Sequence, residues 1–240
     1  MEKQHALQQL EQLQKKLYAI HYACSAMNLD ADTVAPKNTS EGRGVALGVL
    51  AGEEQQLMIC PETRALLDEL DRQKDELDLL HRREVEELRR RCDQLTRIPA
   101  EEYIAYSELV NKAGDVWHKA KEKDDFAMFC PLLQELVEYN RKFAAYYDST
   151  RAPYDALLNE YERGVDTKML DEFFATLRQT IVPLLQKIAR KPQIDDSFLH
   201  NYYPVDKQKA FADDLMQVMG LDRGHCGLGE TEHPFTLEFN

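Results

Sequence analysis

Residues 62–95 read ETRALLDELDRQKDELDLLHRREVEELRRRCDQL. Leu66, Leu70, Leu77, Leu80, Leu88, Cys92 and Leu95 recur at helical steps through a background of acids and bases. Such a stripe describes an amphipathic helix, with one face seeking a core and the other facing water. The heptad-like steps also fit a coiled coil; a long helical hairpin or a bundle helix is the more ordinary reading. Within the segment, HRREVEELRRR (81–91) sets Glu and Arg three and four residues apart. Its bases therefore pair along a solvated face instead of forming a basic binding patch.

The same period extends outward in both directions. Leu7, Leu10, Leu13, Leu17, Ile20, Cys24 and Met27 form one stripe over residues 4–27. NLDADTVAPKNTSEGRG (28–44) reads as a loop, because Pro36, Asn38, Gly42 and Gly44 interrupt regular structure. A short helix is expected from about Val45 to Met58, with Pro61 opening the next at a tolerated first-turn position. Pro99 suits the start of a helix reaching about Lys121. Another spans about Asp125 to Tyr147, where Tyr139, Phe143 and Tyr147 share a core-facing side. Pro153 starts a short helix closed by Gly164, and Asp166 or Thr167 can cap the one that follows. Pro183 should kink or end that helix. Pro204 begins a last helix, ended by Gly220, and the tail from Leu221 reads as irregular or partly extended. The expectation is an all-α bundle of long antiparallel helices, with one helical domain over 1–220 and a tail over 221–240.

Composition narrows the function classes. The formal net charge of −13 disfavours nucleic acid and anionic membranes, both of which need clustered cations. No window holds the ~18 apolar residues of a membrane span, and the N-terminus has no apolar core like that of a signal peptide. The five cysteines are widely spaced without a C-x-x-C pair, as expected of reduced thiols in a cytoplasmic protein. No two of the seven histidines stand at the i,i+4 spacing that seats zinc on a helix face, and His-Glu-x-x-His is absent from the 240 residues. His81 with Glu84 reads as surface pairing, and the spacing of His225, Cys226 and His233 matches no common zinc site. There is no G-x-S-x-G elbow. From the residues alone, the chain is a helical domain without a complete active site, with no catalytic residue and no metal ligand to assign.

Four segments, in order along the chain, resemble the carboxypeptidase Taq family of zinc metallocarboxypeptidases. The first is Leu29-Asp30-Ala31-Asp32-Thr33-Val34-Ala35-Pro36 with Arg43 after it. It is similar to the family's W-D-x-x-T-x-M-P stretch, with Leu29 and Ala35 in place of the usual Trp and Met. The second is Trp117-His118-Lys119-Ala120-Lys121, then Asp125-Phe126, Phe129 and Pro131. The third runs from Tyr154-Asp155-Ala156-Leu157-Leu158 to Tyr161-Glu162 and Gly164, and the fourth is His233-Pro234-Phe235-Thr236.

The resemblance implies the N-terminal portion of a larger helical zinc-peptidase fold that releases C-terminal amino acids from peptides by metal-activated water. It covers about the first half of a typical member. The Asp-x-Arg-x-Thr segment and the zinc helix would follow it. Zinc is thus implied for the full-length family, and none is expected on this chain, which should be inactive alone. By resemblance, His233, Pro234 and Phe235 bind substrate: His233 as a polar contact to the peptide backbone, Phe235 as cleft wall. Asp30, Thr33, Arg43, Trp117, Tyr154 and Asp155 are expected to set loop and helix packing. The implied partners are peptide substrates, a missing C-terminal catalytic half and a possible homodimer, with neither nucleic acid nor membrane. The alternative is a non-catalytic helical module that binds peptides or a partner chain.

Overall fold

The computed structural model describes residues 3–231 except Lys37, together with Pro234 and Thr236. Among the described residues there are nine α-helices and no strand. They are α1 (Lys3–Thr33), α2 (Ser40–Ile59), α3 (Pro61–Arg72), α4 (Leu79–Arg97), α5 (Ala100–Glu122), α6 (Phe126–Tyr147), α7 (Pro153–Tyr161), α8 (Thr167–Ala189) and α9 (Val205–Val218). The helix starts follow local chemistry. Pro61 and Pro153 occupy first-turn positions, where the missing N–H costs nothing. Asp78, Asp125 and Asp166 cap α4, α6 and α8 by accepting from the backbone N–H groups of His81, Met128 and Met169.

The chain divides into two compact units, one built on Met1–Arg163 and the other on Gly164–Glu230. In the first, buried side chains form two apolar clusters. Ala6, Leu10, Leu13 and Leu17 of α1 meet Met58 of α2, Leu66, Leu67 and Leu70 of α3, and Val85, Cys92 and Leu95 of α4. A second cluster joins Leu109 and Ala113 of α5 to Leu132 of α6. Phe143, only 4% exposed, stacks at 5.0 Å from Tyr106 and 5.9 Å from Tyr139, as the aromatic spacing on α6 predicts. The second unit holds α8 and α9.

Two local expectations are corrected. Residues 62–95 form the expected hairpin, but its stripe is not continuous: a 3-10 turn at Lys74–Glu76 interrupts it and the Asp78 cap restarts the helix. The restart shifts the register, so Val85 enters the core while Leu80 stays 67% exposed. The presumed loop is short, because α1 runs on to Thr33 and α2 begins at Ser40, taking in Gly42 and Gly44. Of the two outcomes expected at Pro183, an end is excluded, since α8 continues to Ala189; proline removes one hydrogen bond, and helical turns can flank it.

The glycines of α2 have a packing cause. A Cβ at Gly44 would meet the Asn111 amide at 3.0 Å, at Gly48 the Glu108 carboxylate at 2.8 Å, and at Gly52 the Ile104 side chain at 3.1 Å. Four-residue spacing puts all three against α5, and their missing side chains let the two helices approach closely. Gln55 locks the other side of α2. It is 1% exposed, and its Nε2 donates to the carbonyls of Leu95 (3.1 Å) and Ile98 (2.8 Å) where α4 ends.

Candidate functional site

The close α2–α5 approach and the C-terminal half of α1 enclose a cavity of about 520 Å³. Each helix contributes from one face. Cys24, Asn28 and Asp32 come from α1, Arg43, Leu47 and Glu54 from α2, and Tyr103, Ser107, Asn111, Asp115 and His118 from α5. The steps of three and four along each helix explain how residues remote in sequence converge.

Its polar groups fall into three clusters. Arg43 Nε donates to Asn111 Oδ1 at 2.9 Å, and its Nη2 approaches Asp115 Oδ1 at 3.5 Å. Asn111 Nδ2 in turn donates to the Ser40 carbonyl at 3.0 Å, tying the start of α2 to α5. His118 Nε2 lies 3.2 Å from Asp32 Oδ1, joining α5 to α1. Glu54 Oε1 meets His21 Nε2 at 3.2 Å and Arg91 Nη2 at 2.5 Å, so α1, α2 and α4 share one carboxylate. Burial pushes the Glu54 carboxyl up, but the hydrogen bonds and charges of His21 and Arg91 outweigh it and hold the group below the ordinary range.

Two further groups of the cavity are shifted by burial. Burial, helped by the Glu54 carboxylate, raises the Cys24 thiol, which is therefore not an activated thiolate. Burial and Glu54 likewise raise the Tyr103 phenol. The cavity is a concave space with apolar walls and a few fixed polar contacts, of the size that small ligands and peptide side chains occupy.

Of the residues singled out in the sequence, His233 and Phe235 lie outside the described residues, and Pro234 is exposed. Arg43 does pack helices, as expected, and also lines the cavity. Thr33 donates to the Leu29 carbonyl at 2.5 Å, while Asp30 accepts from the Val34 and Ala35 amides; both finish α1. The Trp117 ring lies 5.0 Å from the Lys121 ammonium. Asp32, Glu54, Asn111, Asp115 and His118 were missed as a group. Their signal was the row Tyr103, Ser107, Asn111, Asp115, His118, a polar stripe on an otherwise ordinary helix.

An all-helical fold that solved metallocarboxypeptidases share defines the class. The BsuCP crystal structure matches 98% of this chain with a TM-score of 0.93 at 33% identity, using 48% of its own length. A Pyrococcus furiosus carboxypeptidase structure matches 98% of the chain with a TM-score of 0.76 at 28% identity. Carboxypeptidase 1 of Bacillus subtilis is 36% identical over 225 residues, covering 92% of this chain and 44% of that protein. The profile of the carboxypeptidase Taq (M32) metallopeptidases matches residues 9–240, and the chain belongs to that family. It spans about half the length of the curated relatives it matches.

Proposed function

We propose that the chain is the N-terminal portion of a zinc metallocarboxypeptidase that releases C-terminal amino acids from peptides. The observation that carries the reading is the family match over 9–240 joined to coverage of less than half of each relative. The residues present do not fit a catalytic zinc. Among the described residues no group of three or more His, Cys, Asp and Glu is placed to hold a metal ion, and the sequence has no His-Glu-x-x-His. In this reading the metal and its activated water belong with the portion of the family fold outside these residues. Its own contribution is to bind and position peptide, with His233 holding the substrate backbone and Pro234 and Phe235 walling the cleft. In the same reading the completed enzyme works in the cytoplasm, as a homodimer by family resemblance. All five cysteines are free, in keeping with a reducing compartment.

Equilibrium dialysis against zinc and a peptide-cleavage assay test this reading on the isolated chain. The expected result is less than one stoichiometric zinc and no amino-acid release. Chelator-sensitive release from a clean preparation would defeat it. The cavity favours a second reading, a non-catalytic peptide-binding module. That reading predicts saturable peptide binding without turnover, lost in Val110→Trp, which fills the cavity from a position on its wall.

A further inference from the structure

The cavity between α1, α2 and α5 has a charged end and an apolar end, and its walls all belong to the unit built on Met1–Arg163. At the charged end stand two ion pairs, Arg43 with Asp115 and His118 with Asp32. Asp115 and His118 are neighbours on one face of α5, so the two pairs lie side by side. The apolar wall begins one turn further on. Leu47 follows Arg43 by four residues on α2, about 6 Å of helix, and Val110 and Tyr106 precede Asp115 on α5. The charged groups are held in place but not saturated. The Arg43 side chain is 11% exposed, and its Nε is committed to Asn111 at 2.9 Å. Its Nη2 makes a long approach of 3.5 Å to Asp115, so the guanidinium, with five N–H donors, keeps some for a further carboxylate. Asp32 gives one oxygen to His118 at 3.2 Å, and a carboxylate accepts at both.

We propose that this cavity binds a free amino acid with an apolar side chain. Its α-carboxylate lies against the Arg43 guanidinium, its α-ammonium against Asp32, and its side chain runs between Leu47 and Val110 toward Tyr106. The charge pattern selects a zwitterion. A simple cation meets Arg43 at this end and a simple anion meets Asp32 and Asp115, whereas a zwitterion finds a complement for each of its charges. The volume of about 520 Å³ falls in the range of small-molecule sites, and apolar walls with a few convergent polar groups are their usual make-up. Every group used belongs to this chain, so the site stands or falls apart from the peptidase reading. A peptide groove takes a residue with both ends in amide bonds; this site needs both ends free and charged.

Isothermal titration of L-leucine into the chain tests the site, and the expected result is one leucine bound per chain. Three analogues each remove one recognised group without touching the protein: leucinamide the carboxylate, N-acetyl-leucine the ammonium, and glycine the side chain. Each should bind at least about 10-fold more weakly, the loss expected of one charge-assisted hydrogen bond or one buried apolar side chain. In the protein, Arg43→Met and Asp32→Asn should weaken leucine by at least the same factor. Val110→Trp, which fills the apolar end, should abolish binding. Melting curves report whether each variant is folded, and the analogue series on the unsubstituted chain decides the matter where one is not. Three results overturn the proposal. They are no leucine bound at millimolar concentration, blocked forms that bind as tightly as leucine, and leucine binding that survives Val110→Trp in a folded protein.

Discussion

Gln55→Glu replaces one atom and tests how α2 is held. The Gln55 amide sits at 1% exposure and gives its two N–H groups to the Leu95 and Ile98 carbonyls. A carboxylate there faces two oxygens and can donate to neither. The protonated acid can donate to one of them, leaving a cost of about 1–2 kcal/mol for the other buried carbonyl. Burial raises the folded-state pKa of the new acid above its unfolded value of about 4.3, by up to about 3–5 units for a site this enclosed. With the folded pKa raised, stability is retained below about pH 4 and lost as pH rises toward the folded value. At pH 7.5 the loss is about 1.4 kcal/mol for each of roughly 3 pH units, or about 4 kcal/mol beyond the acid-form cost. Urea titrations of both proteins, followed by circular dichroism at pH 4 and 7.5, read this directly. The predicted deficit is about 1–2 kcal/mol at pH 4 and about 5–6 kcal/mol at pH 7.5. A deficit equal at the two pH values, or under about 1 kcal/mol at both, refutes the argument that this amide is sealed against the α4 terminus.

Other substitutions read the cavity. Gly48→Leu drives a side chain into Glu108 and forces α2 from α5; thermal melts should show a loss of about 1–3 kcal/mol. Glu54 is a case of the opposite sign to the Gln55 variant: its lowered pKa gives stability that is present above the ordinary value of 4.5 and lost as pH falls through the folded value. Because Arg91 and His21 are themselves partly exposed, the gap between wild type and Glu54→Gln should be only about 1 kcal/mol at pH 7 and should close on acidification. Arg43→Met unties α2 from Asn111 and Asp115 at a cost of about 1–3 kcal/mol in denaturant titrations.

The helices were legible because their punctuation is local. Pro61, Pro153, Asp166 and Gly220, with its φ of 73°, act within a residue or two of where they stand. The errors arose where tertiary packing overrides local preference. Gly42 and Gly44 look like breakers, yet they fall inside α2; at Gly44 the helix faces α5, where a Cβ would crowd the Asn111 amide at 3.0 Å. Leu80 fits a stripe that is continuous only on paper, since the Asp78 cap resets the helix beneath it. The cavity was hidden for a related reason. Asp32, Glu54 and His118 come from three helices, and nothing in their spacing says that those helices meet. Two of the segments that carry the family resemblance contain Asp32 and His118, but a resemblance read along the chain does not say that the two side chains meet.

The central claim is that this chain supplies half of a metallocarboxypeptidase and needs the other half for its chemistry. The direct measurement is a titration of the second-half polypeptide into a fixed amount of this chain with zinc present, following amino-acid release from a peptide. The account predicts no release from the chain alone, a rise that saturates at one-to-one, and complete loss with chelator. Release from the chain alone, or none at any ratio once the complex has formed, contradicts it.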